Sequence, residues 1–224
     1  MPLSPFEKKL IKTDPAFATL VKAHAPCALI NTRRGGSRSH FAELAQAITY
    51  QQLAGRAAET IHGRFVTAIG GRVTPEAVLA TEFQALRDAG LSAAKATSIV
   101  DLADKSLSGQ VKLKSIARCD DEAIIEQLTI VRGIGRWTAE MFLMFRLGRL
   151  DVWPTGDYGV RKGWTLLHGA GATANPKAGE LITPKQLESA GDKFGGYRSI
   201  VAWYCWRAAD TALSKSVDGD LANS

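Results

Sequence analysis

The segment Leu128-Thr129-Ile130-Val131-Arg132-Gly133-Ile134-Gly135-Arg136-Trp137-Thr138-Ala139 holds the first residues whose types and spacing suit chemistry. Apolar Ile124, Ile125 and Leu128 predict a helix that arrives with one face buried, and a second helix leaves after Gly135. Glycine takes positive φ at little steric cost and lets the backbone approach another surface closely. A turn at a helix N-terminus also presents amides, and the helix dipole favours an anion there. Ile134, apolar between two glycines, can pin the turn into a core. The combination suits a helix-hairpin-helix that holds a DNA phosphate without reading sequence. It also suits a plain joint between two helices with glycine as a C-cap, and Gly-x-Gly alone does not separate the two. Further on, Asp157 stands just before a helix start near Tyr158. It is either an N-cap or a fixed negative charge that stabilises a developing cation and manages a water proton. Asp151 is the competing carboxylate and reads as a group that orders the loop.

Other chemistries find less support. Cys27, Cys119 and Cys205 are scattered and odd in number, with no Cys-x-x-Cys spacing, which argues against a disulfide framework, a thiolate zinc site or an iron–sulfur cluster. His24, His40, His62 and His168 are isolated, so no His/Cys cluster supports a catalytic metal. The chain of 224 residues carries 28 Lys and Arg against 22 Asp and Glu, a formal net charge of +6, which favours polyanionic partners. No apolar run reaches the ~18–20 residues of a membrane helix, and the N-terminus lacks the apolar core of a signal peptide. A cytoplasmic location without membrane contact is expected.

The elements that must position these residues read as short helices. Phe41, Leu44, Ala45 and Ile48 fall on one face of a helix opening near Ser39, and Ala58, Ile61 and Phe65 continue an apolar face. Thr74-Pro75 predicts an N-cap followed by proline in the first turn. Thr81-Glu82-Phe83-Gln84 and Thr183-Pro184-Lys185-Gln186 read as capping boxes. Trp137, Met141, Met144 and Phe145 mark one further apolar face, and Val201, Tyr204, Cys205 and Ala208 another. No sustained period-two run suggests a strand. The expected class is all-α. Arg33-Arg34-Gly35-Gly36-Ser37-Arg38 reads as a basic joint between lobes, and 169–179 as an irregular stretch.

With Asp151-Val152-Trp153-Pro154 and Asp157-Tyr158 beyond the hairpin, the chain resembles the helix-hairpin-helix/Gly-Pro-Asp DNA glycosylase superfamily, and within it the DNA-3-methyladenine glycosylase II branch. Ile48-Thr49-Tyr50-Gln51-Gln52-Leu53, Gly90-Leu91-Ser92 with Lys95-Ala96, and Tyr197-Arg198-Ser199 to Trp206 match further segments in order, so the resemblance covers roughly residues 40–210. Two positions depart from the pattern. Arg132 stands where the hairpin often has proline, which predicts a less rigid turn, and Gly156 stands where many relatives have an acidic residue.

The resemblance implies two helical lobes with a DNA-binding cleft between them: residues 1–37 with 150–224, and residues 38–149 ending in the hairpin. It implies Asp157 as the catalytic carboxylate. Trp137, Tyr158, Trp206 and Met141 become the base pocket, whose rings would attract alkylated, cationic bases. Gly133, Ile134, Gly135, Arg136 and Thr138 become the DNA-binding hairpin, with Arg161 and Arg198 as further phosphate contacts or solvated charges. Gln51 and Gln52 fall where relatives place a residue into the gap left by a flipped base, Gln52 aligning best. Strand-cleaving relatives carry a lysine at the position of Trp137, so a monofunctional enzyme leaving an abasic site is implied. No cofactor is expected beyond a monovalent cation that the carbonyls of Thr129, Val131 and Ile134 can hold. The expected partner is double-stranded DNA containing damaged bases, bound by a monomer. Another lesion choice, uracil or oxidised guanine, and a hairpin module without catalysis are the competing readings.

Overall fold

The computed structural model describes residues 3–24, 26–31, 38–169 and 180–221, with side chains omitted at 31 and 212–221. The expected basic joint at 33–37 and the irregular stretch at 170–179 lie outside the described residues. Among those described, the regular structure is helical, without strands. The chain divides into two compact units, Met1–Thr32 with Gly148–Ser224, and Arg33–Leu147.

The central unit holds α3 (His40–Tyr50), α4 (Gly55–Ala68), α5 (Pro75–Leu79), α6 (Phe83–Asp88), α7 (Ala93–Leu107), α8 (Asp121–Thr129) and α9 (Arg136–Met141). The Ser39 hydroxyl caps α3, which buries Phe41, Leu44, Ala45 and Ile48 on the expected face. Thr74 caps α5 with Pro75 in the first turn. The box expected at Thr81 does not form. Glu82 is the N-cap of α6 without a side-chain bond, because the Thr81 hydroxyl instead donates to the Ala77 carbonyl at 2.8 Å. α9 runs on into a π-helical turn, Phe142–Arg146, closed by the Leu147 N–H donating to the Phe142 carbonyl at 3.1 Å.

The other unit combines α1 (Pro5–Thr13) and α2 (Ala18–Ala23) with α10 (Tyr158–His168), α11 (Pro184–Gly191) and α12 (Arg198–Leu221). Ser4 and Glu7 form a capping box on α1, and Thr183 with Gln186 forms the expected box on α11. Its core gathers Phe17, Trp164, Phe194 and Tyr197 in edge-to-face and tilted contacts, with Val201, Tyr204 and Cys205 of α12 fully buried. The tightest seam is between α10 and α12. A Cβ on Gly163 would lie 1.8 Å from the Cys205 carbonyl oxygen, so only glycine lets the backbones approach this closely. No disulfide joins the three cysteines.

Candidate functional site

In the central unit the hairpin is a turn braced from behind by α7. Gly133 has φ +77, and a Cβ there would meet the Ser98 hydroxyl oxygen at 2.4 Å. One helical turn along, the Asp101 carboxylate accepts the Arg132 N–H at 2.7 Å and pairs with Lys105. That bond corrects the expectation of a looser turn. Proline could not donate here, and Arg132 uses its amide to fasten the chain to α7. Burial alone would raise the Asp101 pKa, but the Lys105 ammonium and the Arg132 amide outweigh it and hold the carboxyl below its ordinary range. Ile134 is buried, as its position between glycines suggests. Gly135 caps α9 without a side-chain bond, and a Cβ there would meet open space.

Two of the hairpin residues expected to meet DNA have side-chain partners within the central unit. Thr138 is buried, and its hydroxyl accepts the Gln51 amide N–H at 3.5 Å. Arg136 has its guanidinium between Glu122, at 2.5 and 3.0 Å, and Glu140, at 3.1 Å, so its charge is already matched.

Gln51 and Gln52 end α3 beside this turn. The Gln51 amide nitrogen donates to the Gly133 carbonyl at 3.1 Å, tying the end of α3 to the hairpin. Gln52 is exposed and holds φ +56, the one positive φ of a non-glycine residue among those described. Such a conformation costs about 1–3 kcal/mol and tends to persist where the site uses it. Both glutamines line an open, mostly apolar cavity of about 630 Å³ together with Trp137, Met141, Phe145 and Arg146. Trp137 is 51% exposed, as is half of Phe145. The apolar face that periodicity marks at Trp137, Met141 and Phe145 therefore opens to this cavity instead of packing as core. The π turn displaces Phe142–Arg146 from regular helical phase, a common device at functional sites.

In the other unit Asp157 caps α10. Its Oδ1 accepts the Val160 N–H at 2.7 Å and the Trp206 indole N–H at 2.8 Å. The side chain is 8% exposed. The loop leading to it is fixed at several points: Asp157 N–H donates to the Pro154 carbonyl at 3.0 Å, Val152 N–H to the Ser199 hydroxyl at 2.9 Å, and the Trp153 indole to the Leu187 carbonyl at 2.8 Å. Asp151 grips Arg198 through two bonds, Nε to Oδ1 at 2.7 Å and Nη2 to Oδ2 at 2.9 Å. Asp151 thus orders the loop, and Arg198 is occupied by it. Arg161 likewise donates to the Ile182 carbonyl at 2.7 Å. Tyr158, next to the carboxylate, is 66% exposed.

The four expected base-pocket residues therefore fall in two groups, Trp137 and Met141 on the central unit, Tyr158 and Trp206 around Asp157 on the other. The family of HhH-GPD superfamily base excision DNA repair proteins matches residues 45–188, a span containing the hairpin, the fixed loop and Asp157. The chain belongs to that superfamily.

This HhH-GPD chain is 34% identical over 175 residues to DNA-3-methyladenine glycosylase 1 of Schizosaccharomyces pombe, covering 77% of the chain and 73% of that protein. It is similar to a solved DNA-3-methyladenine glycosidase from Bacillus halodurans, with a TM-score of 0.78 and 31% identity over 94% of this chain and 92% of that one. A Schizosaccharomyces pombe 3-methyladenine DNA glycosylase in complex with abasic DNA gives a TM-score of 0.71 and 33% identity, covering 91% and 96%. Sequence reasoning on this HhH-GPD chain missed Ser98 and Asp101 behind the turn, and Glu43, Tyr50 and Phe142 in the cavity wall. It also missed Gly159, whose four-residue spacing from Gly163 is a visible signal for two helices in close approach.

Proposed function

We infer that this chain is a monofunctional DNA N-glycosylase that hydrolyses the bond between deoxyribose and alkylated bases, 3-methyladenine and 7-methylguanine among them, and leaves an abasic site in double-stranded DNA. The observation that carries this reading is the Asp157 carboxylate, fixed by two N–H donors at the head of α10 in a chain of this superfamily.

The chemistry follows from charge. A base alkylated at a ring nitrogen is a cation, and breaking its glycosidic bond returns the bond's electron pair to the base, which departs neutral. Positive charge then builds on the sugar, as in other glycosidic cleavages. A preorganised carboxylate at Asp157 stabilises that charge. Water adds to the anomeric carbon, and its proton passes to the carboxylate or to solvent. Because the leaving group carries its own positive charge, no strong acid is needed to protonate it. Trp137 stands where a lysine would attack the sugar, and an indole forms no Schiff base. The exposed rings of Trp137 and Tyr158 suit a cationic base, each contact contributing about 0.5–2 kcal/mol. The turn at Gly133–Gly135 offers backbone to a phosphate. A monomer and a monovalent cation on the carbonyls of Thr129, Val131 and Ile134 belong to the same proposal. Neutral carbonyl oxygens suit such an ion, and Val131, whose carbonyl already accepts the Ile134 N–H at 3.1 Å, keeps a second lone pair.

Asp157→Asn keeps the shape and removes the charge. Base release from methylated DNA should fall by about a hundredfold or more. Release at the wild-type rate would remove the carboxylate from the mechanism. Borohydride added during the reaction should trap no enzyme–DNA adduct, whereas a covalent adduct would contradict the use of water. Excision of uracil or 8-oxoguanine with none of the methylated purines would overturn the substrate class.

A further inference from the structure

We propose that Trp206 is a positioning residue that orients the Asp157 carboxylate through its indole N–H, and that the glycine pair Gly159 and Gly163 makes this contact possible. The inference rests on the reading of Asp157 as the reacting carboxylate.

A capping carboxylate is commonly held by one backbone amide, and rotation about its terminal torsion remains broad. Here the same oxygen, Oδ1, takes a second N–H from another helix: Val160 at 2.7 Å and Trp206 at 2.8 Å. Two donors from different directions fix the plane of the carboxylate, and with it the direction in which the negative charge is presented. The second donor reaches Oδ1 because α12 lies against α10 at backbone distance. A Cβ on Gly163 would sit 1.8 Å from the carbonyl oxygen of Cys205, the residue before Trp206. A Cβ on Gly159 would sit 2.7 Å from Trp206 Cδ1, 3.1 Å from its Nε1 and 3.2 Å from Asp157 Oδ1. The i, i+4 spacing puts both glycines on one face of α10. Two bare positions on that face thus clear the ground for a single indole edge. A tryptophan serving only as a stacking surface would gain nothing from this arrangement, since its ring face, not its N–H, would meet the base.

Trp206→Phe separates the two roles, because phenylalanine retains an aromatic face and lacks the donor. With enzyme saturating, single-turnover release of 3-methyladenine and of 7-methylguanine should both fall by about tenfold or more and by a similar factor. Affinity for a duplex carrying a tetrahydrofuran abasic analogue should stay within about twofold, and the melting temperature within a few degrees. Gly159→Ala, whose methyl displaces the indole, should reproduce the loss of rate. Wild-type rates in both variants would overturn the proposal. So would a loss that differs strongly between the two bases, which marks stacking, or one that appears mainly in DNA affinity. If Asp157→Asn releases bases at the wild-type rate, the reading of Asp157 itself fails. If that variant is inactive while Trp206→Phe is fully active, only the positioning role is lost.

Discussion

At the scale of single residues, function is concentrated where side chains are held by partners far away in sequence. Asp101 is the plainest case. It lies on α7, yet it fastens the hairpin by accepting the Arg132 N–H. Asp101→Asn weakens a charge-assisted bond worth about 1.5–3 kcal/mol, so denaturant unfolding should show a loss of roughly 1–2 kcal/mol, with DNA affinity falling alongside. Unchanged values in both would mean that the turn is held by Gly133 and Ile134 alone. Trp137 bears on discrimination. Trp137→Leu keeps apolar surface and deletes the ring, so the preference for releasing 3-methyladenine, cationic while bonded to the sugar, over neutral adenine from duplex DNA should shrink by about three- to thirtyfold. Trp137, Asp157 and the glycines stood out in the sequence through the resemblance of their segments to the superfamily's pattern, since spacing alone left a cap or a plain helix joint equally open. The sequence did not reveal Asp101 or Ser98, since a long-range partner leaves no local pattern, nor that Arg136 and Arg198 are occupied by carboxylates. Charge type is visible in a sequence, whereas pairing is a property of the fold.

At the scale of elements, caps and turns decide what the hairpin presents. The two glycines of the turn differ physically although the sequence treats them alike. Gly133 needs positive φ and space beside Ser98, so Gly133→Ala strains the backbone and clashes, costing at least about 1 kcal/mol of stability as well as binding. Gly135 has φ −91 and open space at its Cβ, so Gly135→Ala should fold with an unchanged melting temperature. Its methyl projects only toward whatever approaches the turn. DNA affinity should therefore fall for Gly135→Ala, about equally across unrelated duplexes, since phosphate contacts carry no sequence information. A loss restricted to one duplex would contradict a phosphate role. Caps written in local sequence were readable, as at Ser39, Thr74 and Thr183. Thr81 was misread because its hydroxyl found the carbonyl of the preceding helix first. The π turn at Phe142–Arg146 has no sequence signature, so the place of Phe145 on a cavity wall was not readable from helical spacing.

At the scale of the whole molecule, buried and half-buried carboxylates set the response to acid. Glu7, Asp14, Asp101 and Asp151 are each pushed upward by burial, and each is pulled further down by donors: Tyr204 on Glu7, Lys193 and His168 on Asp14, Lys105 on Asp101, Arg198 on Asp151. Folded pKa values below the unfolded ones, about 3.9–4.3, mean that their stabilisation is complete above that range and lost as pH falls through the lower folded values. Thermal stability should thus drop steeply below about pH 4, and least so in a variant with these donors removed. The net charge of +6 predicts that DNA binding weakens steadily as salt rises. The all-α class was legible from periodicity alone, because helical spacing is local. The division of the chain, expected at 1–37 with 150–224 and 38–149, came from the resemblance and not from periodicity, because it depends on contacts between the chain's two ends. Gln52 finally couples the stability of the chain to the shape of one residue. Its left-handed backbone, φ +56, is an unfavourable conformation for a residue that carries a side chain. Gln52→Gly would relieve that tension and raise the melting temperature, and, with Gln52 read by resemblance as the side chain that fills the gap of a flipped base, it should lower base release from duplex DNA, so heat resistance and turnover are set against each other at one bond rotation.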